Sequence, residues 1–159
     1  MSRGFIKEGD QEEIPLVPPR AFLPEGVTNY VTQVGIDELL AEKQKLIDEK
    51  ESLTSTNENE KRIALNDINA RLNLLNNRID TAKIVNIDEQ SPDEIMFGAL
   101  VTLKLESTKK NKTFQIVGID EADVSKGKIS FLSPLANALI NKKIGDIAVF
   151  ITTQERYSL

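Results

Sequence analysis

Two stretches of this chain carry the same apolar spacing on either side of a polar reversal. Ile36, Leu39, Lys43, Leu46, Lys50 and Leu53 alternate by three and four residues, and so do Leu65, Ile68, Leu72, Leu75, Ile79 and Ala82. That alternation lays one stripe along a helix and is the heptad of a coiled coil. Leu40 and Ile47 are expected to widen the first stripe. Between the arms lies SLTSTNENEKR, residues 52–62, which reads as a turn. Folding back near Asn59 pairs Leu53 with Leu65, Leu46 with Leu72 and Leu39 with Ile79. Lys43 and Lys50 then lie over Leu75 and Ile68, stems on the apolar surface and ammoniums in water. Each arm is expected to run about 30 Å. Thr32 is the expected N-cap of the first helix, with Asp37 and Glu38 near its positive end.

The flanks read differently. Residues 1–30 hold four of the six prolines, Pro15, Pro18, Pro19 and Pro24. Proline also keeps its preceding residue extended, so an extended arm is expected. Ile14, Leu16, Val17, Phe22 and Leu23 offer apolar docking points. Residues 31–90 form the hairpin and residues 91–159 a small α+β domain. GALVTLKLE, TFQIVGID, KISFL and DIAVFITT have strand composition, with STKKNK as a basic hairpin turn between the first two. SPLANALINKK predicts a short helix with Ser133 as N-cap and Pro134 at its first position. Asn141 and Gly145 near its end suit left-handed backbone.

Composition narrows the chemistry. The chain has no Cys and no His, which removes thiolate zinc sites, disulfides, Cys nucleophiles and the usual general base. A formal net charge of −5 argues against broad binding to phosphate backbones. No apolar run is long enough to span a bilayer, and the N-terminus has no signal-peptide core. A soluble cytoplasmic protein without membrane association is expected.

FGALVTL (97–103), FQIVGIDEAD (114–123), KISFLSPLANALINKKIGD (128–146) and IAVF (147–150) occur in the order and spacing of a known domain. The segment resembles the GreA/GreB family of transcript-cleavage factors. The resemblance continues more thinly through TQVGIDELLAEKQKL (32–46) and ARLNLLNNRIDTAKIVN (70–86). It implies an antiparallel coiled coil followed by an FKBP-like domain. It also implies RNA polymerase as partner, with nucleic acid met only indirectly in the elongation complex. In that family the globular domain grips the rim of the polymerase secondary channel. The coiled coil enters the channel, and its acidic tip helps hold Mg²⁺ at the polymerase active centre. The factor is then not itself an enzyme, and no cofactor is stably bound.

The family tip reads Gly-Asp-x-x-Glu-Asn-Ala-Glu-Tyr, with Asp and Glu three apart on one helix face. Here Glu58-Asn59 falls on the Glu-Asn, Ser55 takes the place of the Asp, Thr54 that of the Gly, and no Tyr follows. Glu58 is the candidate Mg²⁺ ligand. Glu60 is two residues on, about 200° around a helix, so it diverges from Glu58. The hairpin is also about fifteen residues shorter than the family pattern, which withdraws the tip by about 10 Å. A second reading makes the segment a turn, with Ser55-Thr-Asn-Glu58 as a capping box.

The resemblance makes Ser133, Pro134, Asp120 and Glu121 candidate partner-binding residues. The residues alone are equally read as a helix cap and a solvated turn. Lys109, Lys110 and Lys112 form a solvated hairpin tip, with contact to an acidic partner or nucleic acid as the alternative. Four functions follow: a Gre-type elongation factor, a non-cleaving Rnk-like regulator competing for the secondary channel, an FKBP-like prolyl isomerase, or a coiled-coil adaptor. The isomerase is disfavoured because residues 95–159 lack Trp and hold few aromatic residues to line a proline pocket.

Overall fold

The computed structural model describes residues 17–54 and 56–149, and the backbone of 157–158. The chain folds as two compact units. Among the described residues, the first holds residues 17–20 with Leu39–Thr81, and the second holds Ala21–Glu38 with the chain from Ala82 onward.

In the first unit lie most of helix α1, Gln33–Glu51, and all of helix α2, Glu58–Thr81. At 1.5 Å per residue they are about 28 and 36 Å long. Lys50 Nζ donates to Asn69 Oδ1 at 2.9 Å. The expected register puts Lys50 opposite Ile68, next to Asn69, so this cross-arm bond fits the antiparallel pairing. Leu39, Leu46, Ile68 and Leu75 are buried, whereas Leu53, Leu65, Leu72 and Ile79 are half-buried. The deepest side chains of α2, Ile68 at 2 % exposure and Leu75 at 0 %, are those the register places opposite the two lysines. Of the two residues expected to widen the stripe, Ile47 is half-buried, whereas Leu40 corrects the expectation: it is 47 % exposed. It follows Leu39 by about 100° of helix rotation, and it falls outside the seam.

The root of the hairpin belongs to the second unit. Strand β1, Asn29–Val31, enters α1 and strand β2, Ala82–Ile84, leaves α2. The two pair in parallel, Asn29 with Ala82 through Val31 with Ile84. Parallel neighbours need a long crossover, and here the helical hairpin supplies it. Thr32 caps α1 as expected, its Oγ1 accepting from Gly35 N–H at 2.9 Å. The linear division expected at residue 30 therefore differs from the structure. The extended arm ends in a paired strand, and Tyr30 packs on Phe97 and Phe131 with ring centroids 6.0 and 5.7 Å away. Phe22, expected as a docking point, is 80 % exposed; Ile14 and Leu16 lie outside the described residues.

The rest of the second unit is α+β. Strands β3 (Leu100–Leu105), β4 (Asn111–Val117), β5 (Lys128–Ser130), β6 (Ile147–Ala148) and β7 (Tyr157–Ser158) form one sheet in the order β5-β4-β3-β7-β6. Among the described residues of this sheet, only the β4–β5 pairing is parallel. Strict alternation along β3 turns Val101, Leu103 and Leu105 inward. They join Ile116, Ile129 and Ala148 and the buried face of helix α3, Pro134–Leu139, which contributes Leu135, Ala136 and Leu139. The basic β3–β4 turn forms as expected, with Lys109 at φ 58°. Asn141 at φ 72° and Gly145 at φ 93° adopt the expected left-handed backbone. The second half of the expected strand DIAVFITT, beyond Val149, lies outside the described residues.

Candidate functional site

The hairpin tip is built from the ends of its helices. α1 closes through Ser52 N–H to Asp48 O at 3.0 Å and Ser52 Oγ–H to Glu49 O at 3.1 Å. α2 starts at Glu58, and its cap is Asn57. Asn57 Oδ1 accepts from Asn59 N–H at 2.9 Å and Glu60 N–H at 3.3 Å. The cap expected at Ser55 thus falls two residues along the chain, on Asn57, within the equally suitable pattern Asn57-Glu58-Asn59-Glu60. Ser55 itself lies outside the described residues.

This register sets the acidic side chains. Glu58 and Glu60 are exposed in the first turn of α2, where negative charge suits the helix dipole. Two residues apart on a helix, they point about 200° from one another. No group of three or more acidic side chains able to hold a metal occurs among the described residues. Glu58 therefore stands as a single exposed carboxylate at the tip, where Mg²⁺ would draw on one or two protein carboxylates with water and phosphate completing the octahedron.

On the second unit, the candidate residues gather at one end of the sheet. β4 and β5 are parallel, with Val117 opposite Ser130, and Phe131 N–H donates to Val117 O at 2.9 Å. The segments carrying Asp120 and Glu121 and carrying Ser133 and Pro134 therefore leave the sheet side by side. Ser133 Oγ accepts from Ala136 N–H at 3.2 Å, capping α3, and Pro134 is exposed at its first turn. Asp120 is half-buried.

Glu121 does not sit in a solvated turn. It is 7 % exposed, with Thr32 Oγ–H donating to Oε1 at 2.5 Å and Lys128 Nζ donating to Oε2 at 3.0 Å. The Glu121 hydrogen bond holds the Lys128 ammonium above its ordinary pKa. Desolvation opposes it, and the charges of Glu121, Glu38 and Asp123 add to it. Gly35 makes the approach possible: a Cβ there would sit 2.8 Å from Glu121 Oε1. Gly118 does the same for the backbone, since a Cβ would lie 2.5 Å from Tyr30 O. Asp123 Oδ1 accepts from Ser125 Oγ–H and Ser125 N–H, and the first of these is the main reason its pKa is lowered. The sequence marked Thr32 only as a cap; its bond to a residue 89 positions away has no local signature.

Residues 89–159 match the family described as "Transcription elongation factor, GreA/GreB, C-term". The C-terminal domain belongs to the GreA/GreB family. This GreA/GreB domain covers most of the second unit but not its β1, the start of α1 or β2. Over 81 residues the chain is 44 % identical to the transcription elongation factor GreA of Maricaulis maris (strain MCS10), covering 51 % of this chain and 52 % of that protein. Over 75 residues it is 51 % identical to the GreA of Rhodopseudomonas palustris (strain TIE-1), covering 47 % and 48 %. The chain spans about half the length of the curated relatives it matches. Among solved structures, GreA factor homolog 1 of Thermus thermophilus aligns with 82 % of this chain and 95 % of its own. That alignment has 22 % identity and a TM-score of 0.38, a level that transfers no residue role. Among the described residues no helix is long and apolar enough to cross a membrane.

Proposed function

We propose that this chain is an elongation factor of the GreA/GreB kind that binds RNA polymerase at the secondary channel and modulates elongation without bringing a metal-holding carboxylate pair. The observation that carries the reading is the GreA/GreB domain at residues 89–159. The hairpin joined to it supports the channel-entering role. The exposed Pro134, together with Asp120 and the Ser133 cap, forms the polymerase-facing corner. Glu121 acts behind them, holding its loop to Thr32 and Lys128. The site of action is the cytoplasm, where the polymerase works.

The divergence of Glu58 and Glu60 supports the non-cleaving, Rnk-like form of this function over transcript cleavage. The chain then acts by occupying the channel and competing with other factors for it. Core RNA polymerase should be retained by the full-length chain, and Pro134→Arg should weaken that retention with the fold intact. Undiminished binding by Pro134→Arg places the interface elsewhere. On a backtracked complex carrying labelled RNA, the wild-type chain should give little or no added cleavage. Strong cleavage that disappears in Glu58→Ala would overturn the occupancy reading. Ser55→Asp, which puts a carboxylate back at the position the family fills with Asp, tests whether charge alone is missing.

A further inference from the structure

The N-terminal segment is not part of the helical pair, yet four of its residues share a groove with both helices. Val17, Pro18, Pro19 and Arg20 line about 360 Å³ of space together with Glu42 of α1 and with Arg71 and Leu74 of α2. The tie is specific: Arg20 Nη1 and Nη2 donate to Glu42 Oε1 and Oε2 at 2.8 and 3.1 Å. Arg71 is itself engaged by Asp67 at 3.1 Å, one helix turn away. Leu74, 40 % exposed, supplies an apolar wall facing the prolines.

Three properties make this contact releasable. The fork-to-fork pair has good geometry, but its side chains remain 20 % and 44 % exposed, so water screens it. Pro18 and Pro19 have fixed φ, so the segment gives up little conformational freedom on docking. Neither proline has an N–H, so neither donates a backbone hydrogen bond that would strengthen the contact. The contact also has a defined depth. Glu42 lies nine residues before the end of α1 at Glu51, or about 14 Å along the helix. At that level residues 17–20 add bulk to the side of the helical pair.

We propose that residues 17–20 are a strap on the hairpin flank that limits how far the hairpin enters the polymerase channel, and that release of the Arg20–Glu42 latch deepens entry. This inference rests on the proposed polymerase-binding function. The chain has no Cys, so paired nitroxide labels can be placed at Val17→Cys and Asn73→Cys in the full-length protein. The labels should report a short, narrow distance in the otherwise wild-type chain. Arg20→Glu and Glu42→Arg should each broaden it, and the double reversal should restore it. Affinity for core RNA polymerase should rise by about twofold to fivefold in each single reversal and return in the double, the range expected of one exposed pair. A broad label distance before any reversal overturns the strap. Wild-type binding that is unchanged or weakened by the single reversals overturns its role as a stop. A wild-type chain that does not bind polymerase overturns the proposed function, and with it this role, while the label distances still show whether the latch exists.

Discussion

The hairpin leaves Leu53, Leu65, Leu72 and Ile79 half-buried along its seam, while the second unit closes nine side chains of four strands and one helix into a single core. A two-helix seam asks only for apolar residues at a fixed period, and half of those here keep water on one side. A sheet packed against a helix asks for particular volumes at particular places, because its interior is filled at crystal-like density. The GreA/GreB match falls on the second kind of region. Identity is written where packing dictates side-chain shape. The tip lies in the region governed by period alone, and there Glu58 and Glu60 diverge around the helix.

The contrast can be broken most directly by large-to-small substitutions. Leu103→Ala, at a fully buried position in β3, should cost about 3–5 kcal/mol. Leu72→Ala, half-buried in α2, should cost about 1–2 kcal/mol. Urea unfolding of the full chain, with hydrogen exchange resolving β3 from α2, measures both. Equal losses would show the hairpin to be packed as tightly as the sheet core.

Glu121→Ala comes next, at about 2–3 kcal/mol, because it strands Lys128 beside the position left empty and leaves Thr32 with one bond fewer. Glu121→Gln should recover part of that loss by keeping the hydroxyl contact. If Glu121→Ala were as harmless as a surface change, the second unit would not depend on this tie to the start of α1.

A smaller effect separates the two capping patterns at the tip. Asn57→Ala should cost about 1 kcal/mol of helix stability and Ser55→Ala under about 0.5 kcal/mol, read by circular dichroism through thermal unfolding. The reverse order would return the cap to Ser55 and Glu58 to the third helical position.

The smallest effect is alkaline. Lys128 is raised above its ordinary value of 10.5 in the folded chain. Its contribution to stability is fully present below 10.5 and is lost as pH climbs through the raised folded value. Titrating stability across that window should show a loss under about 1 kcal/mol that is absent in Lys128→Met.

Much of this architecture was legible because it is periodic or local. Spacings of three and four gave the two helices, and Lys50 and Asn69 meet where the mirrored pattern places them. The Ser133-Pro134 start of α3, the left-handed Asn141 and Gly145 and the basic β3–β4 turn each carry their signal within a few residues. Other features depend on residues far apart in sequence. The β1–β2 ladder joins segments separated by the whole hairpin, and Glu121 reaches Thr32 across 89 positions. Nothing in DEAD (120–123) distinguishes a buried carboxylate from a solvated one until the chain has folded back on it. The cap at the tip shows the same limit at short range. Ser55-x-x-Glu58 and Asn57-x-x-Glu60 are both sound helix starts, and only the folded hairpin, by fixing where α2 begins, chose between them. Sequence determined which elements form, because side-chain periodicity and capping chemistry act within one or two turns. Tertiary structure decided which polar groups meet, because that depends on the path of the chain between them.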